Sequence, residues 1–533
     1  MEGCGGSPGV MQFTEGGPGD VWSRLLIRCP VVTSRGTHAS CSRSGCRMEL
    51  WNFGRNVISR PRDLYTPRDE AEVLRILDRH AGQRIRVVGS WHSWSRVLES
   101  DQVLLDLRHL NHVEIAAVSP PTSARIGGGC QIKQVLAALE RLAGMTLPSV
   151  GFISEQTVAG AISTSTHGSG AHSLSQYVLE VRVARYDQTT GQAAIVTIDA
   201  GDELLAARCS LGALGIILSV TMQIRPLYHV EETFREYRTV EDVLAQQRQY
   251  PLQQFYLVPW RWTLFAQHRR EVQGASSATL WLYQWYRFLV FDVAMHLVIL
   301  TLVKLLRAHA VVRAVFRWVI PACVVRNWSV IGPASRQLIM EHELFRCVET
   351  EVFVRGSQLS DALQFVKLTL VAADNARTDL PARYLQQLAD SGTEQKLQQL
   401  RGRYCHHYPI CVRRVLPEQT LISMASEQGL QITQADGDWF AITLTNYHRG
   451  EQRRPFDQLA EFLTGSMATL FAARPHWGKI CQAKASQITA LYPGFERFRE
   501  LVQQADRDAV FRNDWTAELL QRPDEMSSGS NAE

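Results

Sequence analysis

Apolar positions recur along this chain with two periods. Between 69 and 80, Ala71, Val73, Leu74, Ile76 and Leu77 fall at helical spacing and predict an amphipathic helix. A short apolar run at 84–88 predicts a strand, and Gly89, Ser90, Trp91, His92 and Ser93 read as the turn after it. A second strand is predicted at 103–107. A third, at 124–126, leads into Gly127, Gly128 and Gly129 and then a helix over 131–142. Alternation at 177–186 and 194–198 predicts a hairpin joined through 187–191. An apolar strand over 216–224 follows Gly212 and Gly215. Interleaved short strands and helices of this kind predict an α+β domain over 51–228.

The pattern over 229–520 predicts a second α+β domain. Strands are expected at 254–259, 260–265, 347–354, 409–415 and 439–446, with helices at 359–371 and 456–464. That order describes a sheet backed by helices. The segment 280–326 differs: it opens on Trp281, Tyr283, Trp285 and Tyr286 and continues as two strongly apolar runs. Between 273 and 340 Asp292 is the sole acid, set against Arg287, Lys304, Arg307, Arg313, Arg317, Arg326 and Arg336. A spanning helix needs about 20 uninterrupted apolar residues, which Asp292 interrupts. Three readings fit: a pair of helices lying in a membrane interface, a buried helical hairpin, or a membrane anchor. The first best suits the cations and aromatics.

Composition narrows the class. A chain of 533 residues exceeds one ordinary core, and 45% hydrophobic with 20% charged residues is globular. A net charge of +4 gives no electrostatic signature of nucleic-acid binding. The 11 cysteines form no CxxC pair or zinc-type spacing, so no metal site is expected and the thiols read as free in a reducing compartment. Residues 1–50 and 521–533 are expected to be disordered tails. The first has no acid between Asp20 and Glu49 but carries Arg24, Arg28, Arg35, Arg43 and Arg47. It resembles a mitochondrial-type presequence, unless translation begins at Met48.

Candidate chemistry concentrates in three places. The stretch 153–170 is small and hydroxyl-rich, with Glu155 and His167 its only ionisable groups. It buries little apolar area but offers backbone and hydroxyl donors to a phosphate-bearing or flat polar ligand; a surface loop is the plain alternative. The Gly89–Ser93 turn lies where α/β folds hold phosphates, but it is not GxGxxG and NAD is not expected. Near the C-terminus, Arg474, Pro475, His476, Trp477, Gly478 and Lys479 place a histidine and a lysine on a constrained turn.

Arg86 to Ser93, the 153–170 stretch and Leu211 to Ile217, with Trp51 to Gly54, Arg60 and Pro61, together resemble the PCMH-type FAD domain of the vanillyl-alcohol oxidase superfamily. Within it the chain is most similar to the sugar-lactone oxidases (gulonolactone, D-arabinono-1,4-lactone and galactonolactone), with alditol oxidase nearby. The resemblance implies an FAD domain at 51–228 and a substrate cap at 229–520 that includes the apolar insert. It implies cofactor contacts at Val88, Gly89, Ser90, Trp91, His92, Ser93, Gly160, Thr166, His167, Gly168, Ser169, Gly215 and Ile217. His92 falls where many of these oxidases bond the flavin covalently, although Trp91 replaces the usual preceding glycine; an ordinary turn histidine is the alternative. Gly151 matches a position whose glycine is linked to oxygen access in oxidases.

The matching RPHWGK run implies Lys479 at the flavin, stabilising negative charge or orienting substrate oxygen, and His476 as hydrogen-bonding partner or base. Arg413 matches a substrate-site arginine of alditol oxidases, but Cys411 stands where those have glutamate, so polyol specificity does not transfer. The implied reaction is hydride transfer from a carbinol of a sugar lactone or polyol to FAD, reoxidised by O2 or another acceptor. A membrane-associated oxidase of a lipid-linked sugar and a flavin-binding scaffold without activity are the alternatives. The location expected is membrane-associated or intracellular.

Overall fold

The helix expected at 69–80 forms as Glu70–Arg79, started by the Asp69 carboxylate, which accepts the Glu72 N–H at 2.7 Å. Its Val73, Ile76 and Leu77 are buried in one cluster with Ile85, Val103 and Leu105. Those three belong to a small parallel sheet ordered Asp63–Tyr65, Val103–Asp106, Ile85–Val88. The Glu70–Arg79 helix is the crossover between the two outer strands, Asp63–Tyr65 and Ile85–Val88, which both run parallel to Val103–Asp106.

The chain here is a computed structural model that describes residues 11–12, 26–28, 48–306, 308–340, 345–389, 393–431, 433 and 436–521. The tails expected to be disordered lie almost wholly outside the described residues. In the first tail, the backbones of Met11–Gln12 and Leu26–Arg28 are described, paired at the edge of a larger sheet, and so are residues 48–50, where Leu50 is buried in the short strand Leu50–Trp51 rather than disordered. That sheet continues through His112–Ile115, Ser123–Gly127, Ile216–Gln223, Val178–Tyr186 and Ala193–Ile198, all antiparallel. Ile216–Gln223 is central and buried from Ile216 to Met222, which explains its unbroken apolar run.

The second domain is built on an eight-stranded antiparallel sheet. Its order is Val330–Pro333, His229–Tyr237, Thr263–Val272, Gln254–Val258, Ile410–Val415, Trp439–Asn446, Val348–Arg355 and Arg474–Pro475. Helices Leu359–Asp374 and Arg454–Phe471 cover one face, burying Phe365, Val366, Leu459 and Phe462 with Val352, Val412 and Ile442. The opposite face is polar. Register aligns Phe265, Tyr256, Cys411, Thr443 and Glu351 across five strands. The strand expected at 260–265 begins only at Thr263. Trp260 and Trp262 adopt φ of 67° and 60° in a tight connection, closed by the Trp262 N–H on Val258 O at 2.8 Å.

After the cap, the chain returns to the first domain. Helices Phe495–Ala505 and Asp514–Leu520 bury Phe498, Trp515 and Leu519 in the first domain's core. The Ile85 N–H donates to Val510 O at 2.8 Å, and Arg86 Nη1 donates to Phe511 O at 2.6 Å.

The apolar insert is a helical hairpin. Its first arm, Leu280–Leu306, is 27 residues long, and its most apolar 18-residue stretch has a mean hydropathy of 2.2. It is the one helix among the described residues long and apolar enough to cross a membrane, and 28% of its most apolar stretch is buried. Buried positions run Tyr283, Arg287, Asp292, His296, Ile299, Leu302 and Val303. The step from 287 to 292 is five residues rather than three or four, because Phe288–Ala294 winds as wide π-type turns. The second arm runs through His309–Ala314, Val315–Val319 and Ile320–Cys323.

Candidate active site

The turn after Ile85–Val88 is held against the small-residue stretch by close backbone approach. A Cβ on Gly89 would lie 2.0 Å from Thr157 Oγ1, whose hydroxyl caps the helix Val158–Ser163. Trp91 adopts φ 61°, the left-handed region that favours glycine and costs other residues about 1–2 kcal/mol. The departure at Trp91 therefore leaves the turn's backbone in its glycine-type shape. Its indole is buried, and Nε1 has no hydrogen-bond partner among the described residues. His92 is buried too, stacked on Phe53 with ring centres 4.9 Å apart.

These residues line a cavity between the two domains, with about 2380 Å³ of empty space including its open mouth. Val88, Gly89, Ser90, Trp91, His92 and Ser93 form one wall; Gly160, Thr166, His167, Gly215 and Ile217 continue it. Arg413, His476 and Lys479 approach from the cap. Two expected residues do not line it. Gly168 packs tightly on Val150 O, and the Ser169 hydroxyl donates to Gln253 O and accepts the Arg414 N–H. Gly151 sits behind Thr166, where a Cβ would come 2.7 Å from Thr166 Cγ2.

A carboxylate not anticipated from the sequence organises the polar end. Glu351 Oε1 accepts from His167 Nε2 at 2.7 Å, and Oε2 accepts from Arg413 Nη2 at 3.0 Å. Burial pushes the Glu351 carboxyl upward, but the Arg413 guanidinium and His167 reverse this and hold it well below its usual range. His476 and His167 lie 5.7 Å apart, and burial keeps both below the usual histidine value. The Gly478 N–H donates to His476 Nδ1 at 2.9 Å, so the neutral ring carries its proton on Nε2. That tautomer makes His476 a donor toward the cavity rather than a base.

Lys479 pairs with Glu349, and its ammonium lies 4.3 Å from the centre of the Trp94 ring. Glu349 also accepts from Thr445 Oγ1 at 3.2 Å. Glu349 and Glu351 are two residues apart on one strand, so both project to the cavity face. The signal for them was that spacing inside an apolar run. Arg413 has its carboxylate partner in Glu351, across the sheet, rather than at position 411, where burial pushes the Cys411 thiol up to about 12.

The cavity changes character along the insert. Phe234, Val258, Phe265, Phe291, Met295, Ile320, Pro321 and Val324 line it there, joined by the buried His296, which accepts from the Tyr447 hydroxyl.

Residues 61–191 match an FAD-binding domain, and residues 220–519 match the D-arabinono-1,4-lactone oxidase family. The chain is 48% identical to a long-chain alcohol oxidase from an uncultured marine euryarchaeote, over 88% of this chain and 96% of that one. It is 24% identical to an L-gulono-1,4-lactone dehydrogenase of Mycobacterium tuberculosis, over 88% and 99% of the two chains. Cholesterol oxidase from B. sterolicum shares the fold, with a TM-score of 0.67 at 14% identity over 89% of this chain and 97% of that one.

The cavity fits FAD. Gly89, Gly128, Ala159, Gly160, Gly212 and Gly215 leave a trough free of bulky side chains, and the buried Trp91 Nε1 awaits an acceptor. The chain belongs to the D-arabinono-1,4-lactone oxidase family, FAD-dependent oxidoreductases with a PCMH-type FAD domain that oxidise CH–OH groups.

Proposed function

We propose that the protein oxidises the terminal hydroxyl of a long aliphatic chain to the aldehyde and passes the electrons to oxygen as hydrogen peroxide. The apolar half of the cavity carries this reading. A sugar lactone presents hydroxyls that need partners, because each one buried without a hydrogen bond costs about 1–3 kcal/mol. Phe234, Phe265, Phe291, Met295, Ile320 and Val324 offer none, and they suit methylenes, each worth about 0.8 kcal/mol when buried. The relative named for long-chain alcohols supports the same choice over more than four-fifths of both chains. A lactone is the competing substrate, favoured by Gln267, Thr443 and Thr445 on the polar sheet face.

Bound FAD supplies the two-electron acceptor for the carbinol hydrogen. The protein positions and polarises. Val88 to Ser93, Gly160, Thr166 and His167 would hold the cofactor, with Gly215 and Ile217 beyond them. His476 Nε2–H donates to the substrate oxygen, and Lys479 sets a fixed positive charge beside it. Glu349, held by Lys479 and Thr445, is the carboxylate placed to take the hydroxyl proton. Glu351 and Arg413 keep His167 in place. The balance is RCH2OH + O2 → RCHO + H2O2. With 1-hexadecanol, one aldehyde and one peroxide are expected per oxygen consumed; turnover on L-gulono-1,4-lactone alone would favour the sugar.

His92 is proposed as the covalent anchor of the flavin, since its buried ring lines the cavity beside Trp91. Acid-precipitated protein is then expected to stay yellow, and His92→Ala to release its flavin to the supernatant. Yellow His92→Ala pellets would exclude His92. The exposed outer side of the insert, rich in tryptophan and leucine, supports a location at a membrane surface.

A further inference from the structure

The insert has two faces, and only one layer of helix separates them. Of the fifteen large apolar side chains exposed among the described residues, eleven lie between Trp281 and Val325, so the patch is local and continuous rather than scattered. Trp281, Trp285, Leu305 and Trp318 are 65, 57, 75 and 63% exposed. On the same arms, Phe291, Met295, Ile320 and Val324 line the cavity. Cavity-lining and exposed residues are close neighbours in sequence: Leu289 and Leu297 flank Phe291 and Met295, and Val319 and Val325 flank Ile320 and Val324.

Charge selects what covers the outer face. Asp292, the sole acid of the insert, is buried, whereas Lys304 and Arg317 are exposed. An apolar, tryptophan-rich surface with a cationic rim complements a bilayer with anionic headgroups. The first arm lies along the protein rather than crossing lipid. Arg287 donates to Gln337 Oε1 at 3.0 Å, and the Tyr447 hydroxyl donates to His296, so its inner side is bolted to the cap at two levels.

The geometry points to lateral delivery: the insert seats in one leaflet of a bilayer, and a lipid-dissolved alkyl alcohol passes between its two arms, hydroxyl first, into the cavity. This rests on the reading of an aliphatic alcohol as substrate. A long alcohol is scarcely soluble in water and concentrates in membranes, since each methylene favours lipid by about 0.8 kcal/mol. A path that never leaves the apolar phase avoids that penalty.

The test uses the full-length, FAD-loaded enzyme with vesicles of phosphatidylcholine and phosphatidylglycerol. The wild type is expected to float with vesicles, and the triple variant Trp281→Ser, Trp285→Ser, Trp318→Ser to stay in solution. Oxygen uptake on vesicle-borne 1-hexadecanol is expected to fall at least tenfold in the variant, with uptake on aqueous 1-butanol unchanged within twofold. A diazirine-bearing hexadecanol photoactivated in vesicles is expected to label Phe291, Met295, Ile320 or Val324. An unaltered vesicle rate in the variant would overturn the proposal, as would labelling confined to other residues. A wild type that forms a dimer and does not float would also overturn it, assigning the face to a second copy. If neither butanol nor detergent-dispersed hexadecanol bleaches the flavin, the substrate reading fails, while flotation and labelling still judge the route.

Discussion

Glu351 is answered by two partners at once, and removing its charge tests the polar end residue by residue. Its carboxylate accepts from His167 and Arg413 with almost no solvent exposure of any of the three side chains. Glu351→Gln leaves Arg413 charged and buried without its counter-ion, which costs about 3–5 kcal/mol in comparable buried pairs. Urea denaturation is expected to show that loss, and Arg413→Met in the same background to recover part of it. An unchanged midpoint in the single variant would mean that the pair contributes nothing. Legibility differed residue by residue. His92, His476 and Lys479 were visible because each sits in a short contiguous motif. Glu351 was not, because its meaning depends on His167, 184 positions away, and Arg413, 62 away.

At the scale of elements, the tie between the insert and the cap carries a pH dependence. His296 is buried among Phe345, Tyr408 and Tyr447, and burial lowers its pKa to about 4. In the unfolded chain it titrates near the ordinary histidine value of about 6.5. Between those values the unfolded state holds a proton that the folded state does not, so stability is full above about 6.5 and falls as pH drops toward about 4. The loss amounts to about 3 kcal/mol. The difference in unfolding midpoint between wild type and His296→Phe is expected to shift against the wild type from pH 7 to pH 4.5; parallel midpoints would contradict the assignment.

Regular elements were legible where a single period ruled. Glu70–Arg79, Ile132–Ala143 and Ile216–Gln223 lie within two residues of their expected bounds. The segment 260–265 misled because Trp260 and Trp262 look like strand formers. The hairpin between Gln254–Val258 and Thr263–Val272 instead forces both into left-handed backbone. The extra residue between Arg287 and Asp292 likewise broke the helical period of the insert.

At the scale of the whole molecule, the FAD domain and the cap meet at a cavity that is polar where the FAD-domain turns and the RPHWGK segment come together and apolar where the insert closes it. The FAD domain was readable from motif order. The return of Phe495–Leu520 to the first domain was not, since helices that pack on a distant core carry no local mark of their partner. Substrate choice depends on the same long-range assembly: the insert's inner residues acquire chemical meaning only once they roof the site. The most direct test of that account is anaerobic stopped-flow reduction of the bound flavin by primary alcohols of increasing length and by L-gulono-1,4-lactone. A reduction rate constant per unit alcohol concentration that climbs with chain length, by at least a hundredfold from butanol to dodecanol, with the lactone inert, is the predicted result. Fast bleaching by the lactone and none by any alcohol would contradict it.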